Sequence, residues 1–151
     1  MTTTINGLPG LTERLGTHLG YSDWHQITQD QVNRFADATG DHQWIHVDVE
    51  RAKQGPFGAP IAHGYLTLSL APALLPEIYR VTDINMAVNY GLNKLRFPSP
   101  VPVGSKVRAG ASLVGVDEIP GGAQVTMDVA FEVEGQDKPA CVAQVVFRYY
   151  T

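Results

Sequence analysis

The sequence predicts an α+β domain in which an antiparallel sheet wraps one central helix. Residues 61–75 are apolar on nearly every helical face, which indicates a helix surrounded by other elements. The chain after Asn85 contains apolar and polar residues in alternation, interrupted by short turns, which is typical of antiparallel strands. Because 151 residues suit one hydrophobic core, we expect residues 1–151 to form a single domain.

The first third of the chain shows no regular period until a helix signal begins at Thr28. Thr28 and Gln31 have the spacing of a capping box, and apolar residues follow at helical intervals. Gly40 suits the left-handed position just after a helix, so the helix is expected to end directly before Asp41. The glycine- and proline-rich stretch 54–60 then predicts a loop leading into the central helix.

Four strands are predicted in the second half, over residues 86–97, 103–116, 125–133 and 141–149. The third has the clearest pattern, because apolar residues alternate with Thr126, Asp128, Ala130 and Glu132. The turn residues at 120–122 and 135–139 separate the last three strands. Only the helix near Ile61 is long and apolar enough to cover the face of such a sheet.

Composition excludes several classes of function. Charged residues make up 17% of the chain, below the roughly 25% of typical soluble domains, which favours a protein whose surface is partly covered by a partner. The net charge is −4 and the basic residues are scattered, so nucleic acid is not expected as a partner. A separate dinucleotide-binding domain does not fit into the length, which disfavours nicotinamide redox chemistry.

The expected compartment is the cytoplasm. Cys141 is the single cysteine and cannot form an internal disulfide; we expect it to be a buried core residue. The first residues lack the basic and apolar regions of a secretory signal. The longest apolar run, 66–75, is shorter than the roughly 20 residues that span a bilayer, so no membrane association is expected.

Acidic and imidazole side chains concentrate between Thr39 and Asp48. Asp41 and His46 are five residues apart, directly after a helix that ends at glycine, so both can converge on one water or substrate atom if the loop curls back. The alternative from spacing alone is structural: the carboxylate caps the next turn and the imidazole bonds to backbone. The spacing leaves both interpretations open.

Three segments of the sequence match those of one known family. The stretch 35–41, Phe-Ala-Asp-Ala-Thr-Gly-Asp, followed by His46 and Ala52, resembles the hydratase motif of the MaoC-like, (R)-specific enoyl-CoA hydratases. The stretch 57–64, Phe-Gly-Ala-Pro-Ile-Ala-His-Gly, is similar to the segment leading into the family's central helix. The stretch 96–104 is similar to a strand and turn of the same fold.

The resemblance implies a hot-dog fold and a homodimer formed by joining two sheets edge to edge. It implies reversible syn addition of water to a trans-2-enoyl thioester, giving the (R)-3-hydroxyacyl thioester, usually with coenzyme A as the carrier. The expected small-molecule partners are therefore enoyl-CoA and 3-hydroxyacyl-CoA, with no metal or redox cofactor. By position, Asp41 and His46 would be the catalytic pair, and the backbone N–H of Gly64 would bind the thioester oxygen.

The sequence departs from the family at several positions. Gln43 and Trp44 replace the usual Asn-Pro, which lengthens the amide side chain and removes the fixed φ of proline. Trp44 is expected either as a wall of the acyl pocket or as a core aromatic residue. His63 is expected either to contact substrate or to bond to backbone. Pro72 should kink the central helix, and we hypothesise that the kink makes room for a longer acyl chain.

Three other functions are compatible with these residues. The first is metal-dependent hydrolysis, with ligands drawn from Asp41, His42, His46, Asp48 and His63, although His42 is expected to face solvent. The second is a hot-dog acyl-CoA thioesterase, which shares the fold and the thioester ligand. The third is a non-catalytic partner subunit of a heterodimeric dehydratase. Coenzyme A and acyl carrier protein both remain open as the thiol carrier.

Overall fold

A computed structural model describes residues 2–151. In chain order its elements are β1 (Thr3–Ile5), α1 (Gly7–Glu13), β2 (His18–Tyr21), β3 (His25–Gln26), α2 (Gln29–Thr39), α3 (Trp44–Val47), α4 (Val49–Lys53), α5 (Gly64–Ser69), α6 (Ala71–Ile78), β4 (Tyr79–Val81), β5 (Met86–Arg96), β6 (Lys106–Ile119), β7 (Gly122–Val133) and β8 (Cys141–Tyr150).

The four strands predicted in the second half form one antiparallel sheet. Its order is β2-β6-β7-β8-β5, and β3 also pairs with β6. The alternation in β7 predicted that every second side chain is buried, and this is observed for Val125, Met127, Val129, Phe131 and Val133. The turn between β6 and β7 contains Gly121 at φ +81°, a backbone conformation that glycine adopts without strain. These strands confirm the predicted antiparallel sheet.

The core lies between this sheet and the helix pair α5–α6. Leu74, Leu75 and Ile78 of α6 belong to one apolar cluster with residues of β6, β7 and β8. Cys141 lies in the same cluster, as expected for a core residue, and burial raises the pKa of its thiol to about 12. The helix therefore covers the sheet face, as the sequence predicted.

The central helix differs from the prediction in three respects. It begins at Gly64 rather than near Ile61, because residues 61 and 62 pair as extended chain with Pro102 and Val101. It is divided into α5 and α6 at Leu70. It is also not buried on all sides, since Tyr65 is 68% exposed in the single chain.

Pro72 accounts for the division. A proline has no N–H to donate to the carbonyl four residues earlier, which here belongs to Leu68. Pro72 instead occupies the first turn of α6, where a backbone N–H has no intrahelical partner in any case. The expected kink is therefore a break between two short helices.

The first third of the chain is more regular than its periodicity indicated. It contains β1, α1, β2 and β3; β1 pairs in parallel with β4, and β2 and β3 pair with β6. Strands of two to four residues are too short to show a period, and their partners lie far along the chain. The helix α2 was predicted correctly: the Thr28 hydroxyl accepts a hydrogen bond from the Gln31 N–H, and Gly40 follows the helix at φ 85°.

The strand β5 is an edge of the sheet and is exposed on both faces. Its apolar side chains include Met86, Val88, Tyr90 and Leu92, which are 38–56% exposed in the single chain. An exposed apolar edge strand of 11 residues is a template for pairing with another strand. Among residues 2–151, no helix is long and apolar enough to cross a membrane.

Candidate active site

The turn after α2 presents Asp41. Gly40 ends the helix in the left-handed conformation and redirects the chain. The Asp41 carboxylate atom Oδ1 accepts a hydrogen bond from the Gln43 N–H at 3.3 Å. Asp41 is exposed, and no hydrogen bond to its second carboxylate oxygen is found among residues 2–151. Asp41 therefore combines a local turn contact with one free carboxylate oxygen.

The contacts of His46 engage one of its ring nitrogens, Nδ1, and leave the other, Nε2, free. Its ring is 6% exposed, and Nδ1 lies 2.7 Å from the carbonyl oxygen of Ile61. A carbonyl oxygen only accepts, so Nδ1 carries the hydrogen and Nε2 of the neutral ring has a lone pair. Gln29 supports the same residue from α2, because its Nε2 donates to the His46 carbonyl at 2.8 Å.

Burial lowers the pKa of His46 below its usual 6.5. Its hydrogen bond to Ile61 and the charge of Asp41 oppose this shift, while the neighbouring imidazole of His63 adds to it. The ring is consequently neutral at pH 7. A neutral imidazole with a free Nε2 accepts a hydrogen bond or a proton from water.

His63 connects the two residues. It is 2% exposed and immediately precedes α5, and its Nε2 donates to the backbone carbonyl of Asp41 at 3.0 Å. Its ring stacks on that of His46, with centroids 3.9 Å apart and an interplanar angle of 22°. Phe35 also packs on the His63 ring, at a centroid distance of 4.8 Å. The ring is thus fixed by a hydrogen bond and by two aromatic contacts.

Asp41 and His46 lie close together as the spacing suggested, and His63 joins them. One ligand atom from each of Asp41, His46 and His63 lies within 4.8 Å of the others. A single water can bridge such a separation with two ordinary hydrogen bonds of about 2.8 Å. The backbone contacts of the structural interpretation are present, since Asp41 and His46 each bond to backbone, and the catalytic interpretation stays a prediction.

The same three side chains offer atoms that metals bind, but the stacking does not suit a shared ion. An imidazole lone pair lies in the ring plane, and these two rings are nearly parallel with centroids 3.9 Å apart. An ion between them would stand far out of both planes, by a distance comparable with a Zn–N bond of about 2.0–2.1 Å. His42 turns away to Asp37 and is exposed, as expected, and Asp48 caps α4.

Gly64 is the first residue of α5, so its N–H has no carbonyl of a preceding helical turn to bond. A Cβ at this position would stand 3.0 Å from ring atoms of Phe97. A glycine therefore allows the helix to approach that ring. A cavity of about 350 Å³ borders Gly64 and Phe97. The expected binding of a thioester oxygen by this N–H stays a prediction.

Trp44 is the first residue of α3 and is half-buried. Its ring packs against Gly55, where a Cβ would come within 2.9 Å of it, and the Arg51 guanidinium lies over its face at 4.3 Å. These contacts are those of a packing residue, one of the two alternatives. Its role as a wall of the acyl pocket stays a prediction.

Two parts of this site were not anticipated from the sequence. Ile61 contributes its carbonyl to His46, and its own N–H donates to the Ile45 carbonyl at 3.0 Å. Gln29 reaches His46 from the start of α2. Backbone carbonyls carry no residue-specific signal, and nothing in the local sequence pairs Gln29 with a residue 17 positions later.

Comparison with known proteins gives the family. The family described as MaoC like domain matches residues 11–135. The chain belongs to this family. It is 56% identical over 147 residues to a protein named 3-hydroxyacyl-thioester dehydratase Z of Mycobacterium tuberculosis, covering 97% of both chains.

Solved structures confirm the hot-dog fold of this MaoC-like protein. An R-hydratase of Pseudomonas aeruginosa superposes with a TM-score of 0.75 at 21% identity, covering 95% of this chain and 85% of the other. An (R)-hydratase of A. caviae gives a TM-score of 0.73 at 24% identity, covering 88% of this chain and 94% of the other. At this level of identity these structures establish the fold alone.

Proposed function

We propose that this protein is a hydro-lyase that interconverts trans-2-enoyl thioesters and (R)-3-hydroxyacyl thioesters. The observation that carries the proposal is that neutral His46, whose Nε2 is free, lies beside Asp41, with one ligand atom of each residue within 4.8 Å of the other. The relative that is 56% identical over nearly the whole chain is named as a dehydratase of 3-hydroxyacyl thioesters, which supports the same substrate class.

The chemistry uses two acceptors for one water. A water between the two side chains donates one hydrogen to Asp41 and the other to Nε2 of His46. As the water oxygen bonds to C3, the C2–C3 π bond breaks and Asp41 takes the first proton. The protonated carboxyl then delivers that proton to C2 on the same face, so that the carboxylate is regenerated. Such acid-base assistance contributes about 10²- to 10⁴-fold to a rate.

Attack at C3 moves negative charge onto the thioester oxygen. We propose that the backbone N–H of Gly64 donates to this oxygen. The N–H lies at the start of a helix, and the absence of a side chain permits close approach of the substrate. Loss of one such donor costs about 2.7–4 kcal/mol in other enzymes, so this contribution is comparable with that of the acid-base pair. The pair and the donor supply the reaction without a metal or redox cofactor.

A homodimer formed through β5 is part of the proposal. The apolar side chains of this strand are exposed on both faces, and β5 pairs with β8 along only one edge. A second copy pairing antiparallel would satisfy the other edge and cover these side chains. We expect a mass near twice 16.4 kDa in solution. Tyr90→Lys, which places a charge at the expected interface, should produce monomers; a wild-type protein that is already monomeric would contradict the proposal.

The break in the central helix also bears on the substrate. A cavity of about 340 Å³ lies between the break and β5, lined by residues that include Leu68, Pro72, Tyr90 and Val145. We propose that this space accepts acyl chains longer than that of crotonyl-CoA. Rates with trans-2-enoyl-CoA substrates of four to sixteen carbons test this, and a sharp preference for the four-carbon substrate would contradict it.

The deciding experiment measures loss of enoyl absorbance when the purified protein is mixed with crotonyl-CoA or a longer enoyl-CoA. Asp41→Asn should lower kcat by about 10²- to 10⁴-fold, because the amide cannot accept the proton. Asp37→Asn is the matched control, since Asp37 is an exposed carboxylate on α2 that contacts His42. A wild-type protein without activity, or an Asp41→Asn variant with the wild-type rate, would overturn the assignment.

Product analysis separates hydration from the alternatives. Hydration retains the thioester, so no free thiol should form while the absorbance falls. Release of the CoA thiol would instead indicate a thioesterase. Formation of (R)-3-hydroxyacyl-CoA rather than the (S) isomer tests the stereochemistry. Activity of the purified chain without another protein would exclude a non-catalytic partner subunit.

A further inference from the structure

We propose that His63 is a positioning residue that fixes the Asp41 backbone and the His46 ring relative to each other. This proposal rests on the function proposed above. His63 touches both members of the pair, at the Asp41 carbonyl and on the face of the His46 ring. It is also the residue directly before Gly64. One buried side chain therefore connects all three groups assigned to the reaction.

The contact with Asp41 closes a loop of the chain. Asp41 is exposed, and the other described contacts near its backbone are local, including a 3.4 Å bond from its N–H to the Thr39 hydroxyl. The bond from His63 spans 22 residues and joins the turn after α2 to the start of α5. Because His63 is 2% exposed while Asp41 is exposed, this bond is partly shielded from water. It is consequently the tertiary contact that places the Asp41 turn.

The contact with His46 acts on orientation and on charge. The stacked His63 ring covers one face of the His46 imidazole and keeps it from rotating away from the Ile61 carbonyl. Asp41, in the turn after α2, and His63, before α5, are the titratable groups that act on His46. Asp41 raises the pKa of His46 and His63 lowers it, so the stack favours the neutral base.

His63 itself has no nitrogen available to substrate. Its Nε2 is bonded to the Asp41 carbonyl. Its Nδ1 is buried and has no hydrogen-bond partner among residues 2–151. A group placed in this way acts through its neighbours and does not exchange protons with a ligand. The alternative in which His63 contacts the substrate directly is less compatible with these contacts.

Two substitutions separate the two contacts. His63→Gln keeps a side-chain N–H that can reach the Asp41 carbonyl but removes the stacked ring. His63→Phe keeps a ring on His46 but removes the donor. We expect His63→Phe to lower kcat on the order of 10²-fold with a smaller change in KM, as for other misplacements of catalytic groups. His63→Gln should retain more of kcat, because the Asp41 turn remains bonded.

The pH profile and the His46 titration are measurements that a merely structural role would leave unchanged. Loss of the second imidazole should raise the pKa of His46 in both variants, so the acidic limb of kcat/KM should move to higher pH. The matched controls are His42→Gln and His42→Phe, because His42 is exposed and contacts Asp37. Circular dichroism and thermal unfolding identify any variant that fails to fold.

Nuclear magnetic resonance of the histidine rings makes the test independent of the proposed activity. In the wild-type protein, we expect His63 to carry a hydrogen on Nε2, where it bonds to the Asp41 carbonyl, and His46 to be neutral with its hydrogen on Nδ1. A raised His46 pKa in the variants supports the proposal even if no enoyl thioester is hydrated, a result that would overturn only the proposed function. A His63 ring protonated on Nδ1 alone, or an unchanged His46 pKa in folded variants, would overturn the role of His63.

Discussion

Polar side chains lie at both ends of the helix pair α5–α6, but among residues 2–151 they keep free atoms at only one of these ends. Near the start of α5, His46 keeps an unbonded Nε2 and Asp41 keeps an exposed oxygen. Beyond the end of α6, the hydroxyls of Tyr79 and Tyr149 bond to each other at 2.6 Å. Burial raises the pKa of both tyrosines, which keeps them protonated.

The difference shows why cavity size alone does not mark the site. A cavity of about 540 Å³ lies beside Tyr79 and Tyr149, larger than the one that borders Gly64. The two tyrosine hydroxyls in its lining bond to each other, and no lining residue is a carboxylate or an imidazole, so this cavity contains no general base. At the other end, backbone carbonyls occupy one nitrogen of each imidazole and leave His46 Nε2 to act on a ligand. Four measurements test this contrast.

The largest expected effect comes from removing the free nitrogen. His46→Ala should lower kcat by about 10²- to 10⁴-fold, because no acceptor remains for the second hydrogen of the water. In the wild-type protein, kcat/KM should fall with decreasing pH through a pKa below 6.5, because burial favours the neutral ring. His42→Ala is the control and should keep both the rate and the profile. If His46→Ala had the same rate as the control, the region near the start of α5 would not be the catalytic one.

The second largest effect is expected for a substitution of Gly64, which should lower both the stability and the rate. Gly64→Ala should destabilise the protein by about 1–3 kcal/mol, because its Cβ would press on the Phe97 ring. The rate should fall as well, since the displaced helix start carries the proposed donor. Phe97→Leu combined with Gly64→Ala should recover stability, measured by urea unfolding. If Gly64→Ala alone is neutral in both measurements, the close approach to Phe97 is unimportant.

The tyrosine pair should affect stability without affecting rate. Tyr79→Phe or Tyr149→Phe alone leaves one buried hydroxyl unpaired, at a cost of about 1–3 kcal/mol. The double variant should be less destabilised than the sum of the single variants, because no unpaired hydroxyl remains. Chemical unfolding of the four proteins gives the coupling. A strong loss of hydratase rate in these variants would show that the tyrosine pair also takes part in the reaction, and the proposed difference between the two ends would be wrong.

The smallest effect is expected at the exposed side of α6. Desolvation raises the pKa of Glu77. Its hydrogen bonds with His25 and with the Asp23 N–H outweigh that effect, so the pKa lies below its usual 4.5. A carboxyl group whose pKa is lowered on folding stabilises the folded state at pH values above 4.5. This contribution is lost as the pH falls through the pKa of the group in the folded state. Glu77→Gln should therefore cost at most about 1 kcal/mol at pH 7 and less near pH 3, since the pair is partly exposed. Unfolding at the two pH values checks the sign; an equal loss at both would show that charge is not involved.

Local patterns were sufficient for much of this molecule. The four long strands were predicted because a period of two records which face of a strand is buried. The helix α2 was predicted because its capping residue Thr28 and its terminal Gly40 act within a few residues. The same local logic predicted that Asp41 and His46 lie close together, because their separation is short enough for one turn to bring them together.

The short strands, the break at Leu70 and the role of His63 were not predictable in this way. β1, β2 and β3 exist because they pair with strands far along the chain. His63 gave only two alternatives in the sequence, contact with substrate or with backbone, and its partner was undefined. The structure supplies that partner, the Asp41 carbonyl 22 residues away.

The sequence by itself determined which residue types are available for chemistry and where the long strands and the capped helix lie. The tertiary structure alone decided which nitrogen of His46 is free and which atom His63 holds. The physical reason is the range of the interactions. Periodicity and helix capping act over a few residues, whereas a hydrogen bond from a buried ring to a backbone carbonyl exists only after distant segments have packed together.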